Sequence, residues 1–330
     1  MTQPGPTQTP PSAESEEPPT DPPRRGPRPS RRQLLAATGG LMAGAAGGLA
    51  GGVFLGHDAN PPPLRPSGRR RFADKVVVIT GATSGIGRAA AIAFAAEGAK
   101  VGFCGRRTNL GRQVEQEIRS AGGEAMYVRA DVLVERDVQS FVDQVVDRYD
   151  GLHVAFNNAG ITIEKPLHEM TSEEFDRVVN TNLRGTFLAM KYELPHMLAG
   201  GGGVIVITSS SNALATNERR SAYSASKRGL VGLMQSATFD YAADGIRVNA
   251  LIPGTTDTPL IRRAAGMEDV PDAAWRVFLR QWARSHVPGL GRVATPEEVA
   301  SFALTLASDD HPYLTGAQLV IDGGKTAHGG

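Results

Sequence analysis

From residue 72 onward, short apolar runs alternate with stretches whose apolar positions recur every three or four residues. The first run, Lys75-Val76-Val77-Val78-Ile79, is nearly continuous and β-branched, the pattern of a strand covered on both faces. Runs of the same kind recur at 100–104, 125–130, 153–156, 204–208, 247–252 and 318–321. Helical patterns fill the gaps, at 88–97, 108–121, 135–149, 171–198, 222–243 and 296–307. In the third of these, Val138, Phe141, Val142, Val145 and Val146 share one face. Thr171 with Glu174, and Thr295 with Glu298, are capping boxes, and Pro296 suits a first helical turn. Gly98 and Gly122-Gly123 close two helices. Strands alternating with helices predict a doubly wound α/β domain, a parallel sheet with helices on both faces. Ligands on such sheets bind at the carboxyl ends of the strands.

The first 71 residues break the pattern. Residues 1–29 are poor in apolar side chains and crowded with Pro, Thr, Glu and Arg, so they are expected to be disordered. Ser30-Arg31-Arg32-Gln33-Leu34-Leu35 follows and resembles the bacterial twin-arginine export motif, with Leu34 and Ala36 in place of the usual Phe and Lys. Residues 34–55 carry no charge and as a helix would span about 33 Å, enough to cross a bilayer. The segment 30–56 is therefore read as a twin-arginine signal or membrane anchor, and 57–71 as a Pro- and Arg-rich linker. The expected partner is the twin-arginine export machinery, with the folded domain on the extracytoplasmic side; the alternative is a cytoplasmic protein with a chance Arg pair. Gly56-His57-Asp58-Ala59 is a poor cleavage site and Ala43-Gly44-Ala45 lies inside the run, so the reading leans to an uncleaved anchor.

Composition narrows the picture further. The chain has 330 residues and a net charge of +1, which implies no nucleic-acid partner. Its one cysteine, Cys104, rules out an intrachain disulfide and falls in an apolar strand. Its seven histidines show no metal-ligand spacing. One domain, 72–330, remains to carry function.

The chemistry begins at Thr80-Gly81-Ala82-Thr83-Ser84-Gly85-Ile86-Gly87, between the first strand and the first helix. Glycines allow a tight turn and close approach to a pyrophosphate, and a helix N-terminus offers free N–H groups to it. The second strand ends Cys104-Gly105-Arg106-Arg107. An NAD-preferring site wants a carboxylate there; here stand a glycine and two arginines, whose guanidinium groups suit a 2′-phosphate. Solvated surface arginines are the bland alternative. Tyr223 and Lys227 are four apart on a predicted helix and share a face. A lysine charge beside a phenol is expected to lower its pKa and fit it for proton transfer.

Thr80-Gly81-x-x-x-Gly85-Ile86-Gly87, Asn157-Asn158-Ala159-Gly160, Tyr223-x-x-x-Lys227 and Pro253-Gly254 arrive in one order, and that order resembles the classical short-chain dehydrogenase/reductase family over residues 72–324. The resemblance implies a single Rossmann-type domain with a seven-stranded parallel sheet. It implies a catalytic tetrad of Asn182, Ser210, Tyr223 and Lys227, with Ser209 and Ser211 leaving the serine register open by one. It places the coenzyme against Gly81, Thr83, Ser84, Gly85, Ile86, Gly87, Arg106, Arg107, Asp131, Val132, Asn158, Ala159, Gly160, Tyr223, Lys227, Pro253, Gly254 and Thr258. In the family, Ser210 would hydrogen-bond the substrate oxygen and Asn182 would hold a water leading from Lys227 to solvent. The implied activity interconverts a carbonyl and a secondary alcohol, with NADP(H) preferred and NAD(H) the alternative coenzyme, in a homo-oligomer.

Two other classes compete. A non-catalytic dinucleotide sensor would not need Tyr223, Lys227, Ser210 and Asn182. An extended-branch epimerase or dehydratase usually carries G-x-x-G-x-x-G, which is not the spacing at Gly81. The substrate itself is not readable. Residues 255–289 are expected to form a substrate lid; Trp275, Phe278, Leu279 and Trp282 would be core, subunit interface or substrate wall. Arg262, Arg263, Arg276, Arg280 and Arg284 in the same stretch would meet an acidic substrate or be solvated.

Overall fold

The computed structural model describes residues 70–327, together with Gly68 and Met1. Apart from Met1 and Gly68, the expected disordered tail, the twin-arginine segment and the linker up to 69 lie outside the described residues. Among the described residues no helix is long and apolar enough to cross a membrane.

The strands are β1 (Val76–Thr80), β2 (Lys100–Gly105), β3 (Glu124–Arg129), β4 (Val154–Asn157), β5 (Gly203–Thr208), β6 (Ile246–Pro253) and β7 (Gln318–Ile321). They form one parallel sheet in the order β3-β2-β1-β4-β5-β6-β7. The helices are α1 (Gly85–Ala96), α2 (Thr108–Ser120), α3 (Glu135–Tyr149), α4 (Ser172–Val179), α5 (Gly185–Ala199), α6 (Ser221–Tyr241), α7 (Pro259–Ala264), α8 (Asp272–His286) and α9 (Pro296–Ala307). The order reverses between β1 and β4, and it is there that such sheets leave a crevice for a ligand.

Alternate residues of a strand face opposite ways, and β1 shows why both faces must be apolar. Val77 and Ile79 join a core with Phe94 of α1 and Val299 and Ala303 of α9. Val76 and Val78 join the opposite core, with Phe141 and Val145 of α3, Met197 of α5 and Leu230 and Met234 of α6. Phe94 is fully buried and meets Phe72 edge-on at 4.8 Å; a ring buried in this way contributes about 2–3 kcal/mol. Both expected capping boxes form, Thr171 with Glu174 and Thr295 with Glu298.

Two elements differ from expectation. α1 starts at Gly85 rather than near residue 88, so Gly85, left-handed at φ +56°, and Gly87 both fall within its first turn. The predicted 171–198 helix is interrupted by a π-helical turn, Asn180–Arg184, between α4 and α5. Capping and apolar spacing cannot reveal that extra residue, and such turns cluster at functional sites.

Candidate active site

The carboxyl ends of β1, β4, β5 and β6 open into a cleft of about 670 Å³. Gly81 has φ +70°, and a Cβ there would stand 2.7 Å from the Cα of Ala159. At Gly87 a Cβ would stand 2.6 Å from the Gly81 carbonyl oxygen and from Nδ2 of Asn158. Glycine at both places lets the turn lie flat against the loop after β4. The two are stitched together: Thr80 Oγ1 accepts from the backbone N–H of Asn158 at 3.1 Å and of Ala159 at 3.2 Å. Asn158 Nδ2 donates to the carbonyls of Thr80 and Gly81, each at 3.4 Å. No side chain caps the N-terminus of α1, and its first turn holds no acidic residue. Its leading N–H groups are left for an anion.

Arginines gather beside this turn. Arg107 donates through Nε and Nη2 to Thr83 Oγ1, at 3.1 and 2.7 Å, and through Nη2 to Ser84 Oγ at 2.6 Å. Its pKa is lowered, first by burial, then by the charges of Arg263 and Arg106. Arg106, half exposed, reaches Asp131 only at the long distance of 3.7 Å. A turn without acidic residues, an uncapped helix end and crowded guanidinium groups fit the phosphates of a dinucleotide.

At the other end of the cleft, β5 and α6 bring together the proton-handling groups. Ser209 and Ser210 line the cleft. Ser209 Oγ donates to the Lys227 carbonyl at 2.8 Å, so its hydroxyl is committed to the backbone of α6. Ser210, whose Oγ accepts from the Asn212 N–H at 3.2 Å, is the serine whose hydroxyl draws the Tyr223 phenol's pKa down. Lys227 is buried; its Nζ donates to the Thr208 carbonyl at 2.7 Å and lies 5.7 Å from the centre of the Tyr223 ring. Burial pushes the Lys227 ammonium down to about 8, which leaves it mostly charged at neutral pH. Burial raises the Tyr223 phenol; the Ser210 hydroxyl and the charge of Arg220 oppose this, and Glu164 adds to it. Desolvation, rather than the lysine charge expected from the sequence, thus dominates the phenol in this state. Arg220 pairs with Glu164 at 2.5 Å and sits 5.8 Å from the Tyr223 ring centre.

Asn182, in the π-helical turn, is fully buried. Its Oδ1 accepts from the Ile161 N–H at 2.8 Å, and its Nδ2 donates to the Ile161 carbonyl and to Ser226 Oγ, both at 3.0 Å. The side chain thereby ties the loop after β4 to α6. Of the catalytic and coenzyme residues expected from the sequence, all line the cleft except Asn182 and Gly87. Cleft residues missed by the sequence reading include Ile161, Thr162, Ile163, Glu164, Arg177 and Thr181; nothing in their local pattern distinguishes them from loop and helix residues. The lid segment divides. Leu260, Ile261, Arg263 and Ala264 of α7 face the cleft, whereas Trp275 and Leu279 of α8 are buried packing residues. Trp275 Nε1 donates to Asp257 at 2.8 Å.

A family model described as enoyl-(acyl carrier protein) reductase matches residues 81–326. The chain belongs to the short-chain dehydrogenase/reductase family. A cis-4-hydroxycyclohexanecarboxylate dehydrogenase of Sinomonas cyclohexanicum is 41% identical, over 78% of this chain and 98% of that protein. A cyclohexanol dehydrogenase of an Acinetobacter strain is 37% identical, over 78% of this chain and 97% of that protein. A levodione reductase of known crystal structure superposes with a TM-score of 0.73 at 33% identity, covering 78% of this chain and all of the other. The chain is accordingly an oxidoreductase of the family that acts on CH–OH groups and binds NAD(P).

Proposed function

We propose that this short-chain dehydrogenase/reductase interconverts a cyclic ketone and its secondary alcohol with NADP(H), using Tyr223 as the general acid/base. The observation that carries the reading is the convergence of Tyr223, Ser210 and Lys227 on the cleft that the glycine turn and Arg107 also line. Bound coenzyme supplies a hydride to the carbonyl carbon, or takes one from the alcohol. Tyr223 holds the proton at its hydroxyl and moves it to or from the substrate oxygen. Ser210 orients that oxygen by hydrogen bonding. Lys227, anchored on Thr208, keeps a positive charge behind the phenol and favours the phenolate as it forms. Asn182 holds Ile161 and Ser226 in place around them.

The absence of a carboxylate at Gly105 and the placing of Arg107 on Thr83 and Ser84 support NADP(H) over NAD(H). Ile161, Ile163, Leu260 and Ile261 give the cleft an apolar wall suited to a hydrocarbon ring, and two of the relatives are named for ring alcohols. Arg31-Arg32 ahead of the charge-free 34–55 run supports export by the twin-arginine route with the enzyme held outside the cytoplasmic membrane. Turnover of cyclohexanone with NADPH by wild-type and Tyr223→Phe protein tests the catalytic reading.

A further inference from the structure

Arg263 belongs to the lid segment, yet it stands at the coenzyme end of the cleft. α7 is seated on the glycine turn: a Cβ on Gly85 would come within 3.2 Å of Thr258 Cγ2, just ahead of the helix. Arg263, near the end of α7, lines the same cleft as Arg106 and Arg107. Its charge acts on Arg107 more strongly than that of Arg106, the chain neighbour. Among the described residues, no close carboxylate balances the three groups. Arg107 is bonded to hydroxyls, Arg106 meets Asp131 only at 3.7 Å, and Arg263 meets Glu268 only at 3.9 Å with both side chains more than half exposed. Like charges crowded in this way repel, and an anion placed among them removes the repulsion.

We propose that Arg263 is the third arm of the site for the coenzyme's 2′-phosphate, so that the lid itself contributes to choosing NADP(H) over NAD(H). The inference rests on the NADP(H) reading and adds to it a residue from a different part of the fold. Arg106 and Arg107 grip the phosphate from the sheet side, while Arg263 closes on it from α7. Dephosphorylated coenzyme lacks the group that would hold α7 there.

The test is calorimetric titration of the full chain with 2′,5′-ADP and with 5′-AMP, two probes that differ by the 2′-phosphate. Arg263→Met and Arg107→Met are compared with wild type, and with Arg276→Met, a lid arginine that does not line the main cleft. Matching melting temperatures confirm that each variant is folded. Wild type is expected to favour 2′,5′-ADP. Arg263→Met should weaken 2′,5′-ADP about tenfold while leaving 5′-AMP unchanged, and Arg276→Met should change neither. If Arg107→Met loses the preference and Arg263→Met keeps it, this inference is overturned while the NADP(H) reading stands. Equal weakening of both probes by Arg263→Met also overturns it, since Arg263 then serves a phosphate that both share. If wild type binds the two probes alike, the NADP(H) reading falls and takes the inference with it.

Discussion

Asn157, the last residue of β4, donates its side-chain amide to Oε2 of Glu193 in α5 at 2.8 Å, and both side chains are buried. Their other oxygens, Asn157 Oδ1 and Glu193 Oε1, find no partner among the described residues. Burial pushes the Glu193 carboxyl up from 4.5 to about 8, against the pull of the Asn157 bond. A protonated Glu193 would carry the missing donor, so that acid and amide could pair at both ends. The end of β4, where the Asn157–Gly160 loop enters the cleft, is therefore expected to depend on this proton.

That dependence has a definite sign. Between pH 4.5 and 8 the folded chain holds a proton that the unfolded chain releases. Stability contributed by Glu193 thus falls as pH rises through this window, and levels off above it. Glu193→Gln keeps a neutral amide of the same shape and removes the titration. Thermal melts from pH 5 to 9 should show the variant gaining on wild type with rising pH. The gain should be at most about 1.4 kcal/mol per pH unit, or a few degrees in melting temperature. Parallel profiles would mean that Glu193 does not titrate in this window.

Coenzyme choice should lie in the arginines at the end of β2. Replacing both Arg106 and Arg107 with Ala removes the guanidinium groups beside Thr83 and Ser84. The KM for NADPH should rise about tenfold or more, with little change in the KM for NADH. Equal effects on the two coenzymes would make them surface residues of no special role.

The N-terminal reading is tested in cells. The pair Arg31-Arg32 precedes the charge-free run 34–55. Wild-type protein should fractionate with the extracytoplasmic or membrane pool, and the Arg31→Lys/Arg32→Lys variant should remain in the cytoplasm. Wild type that is soluble in the cytoplasm, or equal export of the variant, would contradict the export reading.

The sheet was legible because its strands are written twice. β1 is apolar at Val76 and Val78 for one core and at Val77 and Ile79 for the other, which only a strand covered on both faces requires. The glycine turn was legible because close backbone approach at Gly81 and Gly87 admits no Cβ. What escaped has a physical cause too. The π-helical turn that carries Asn182 follows from tertiary contacts with Ile161 and Ser226, not from local propensity. The choice among Ser209, Ser210 and Ser211 depends on which hydroxyl turns toward α6 and which toward Tyr223. The lid arginines look alike in sequence, and only the seating of α7 on Gly85 sets Arg263 apart from Arg276. The dominance of burial over the lysine charge at Tyr223 is likewise a property of the packed cleft, beyond the reach of a four-residue spacing.

The proton-transfer role of Tyr223 is the centre of the account. Ser210 draws its pKa down against burial, and Lys227 Nζ lies 5.7 Å from its ring centre. The most direct measurement is the turnover of cyclohexanone with NADPH by wild-type protein and by Tyr223→Phe, at matched folding. The account predicts measurable wild-type turnover and a loss of about a thousandfold in kcat for the variant, with its melting temperature little changed. A folded Tyr223→Phe protein that turns over as fast as wild type would contradict it.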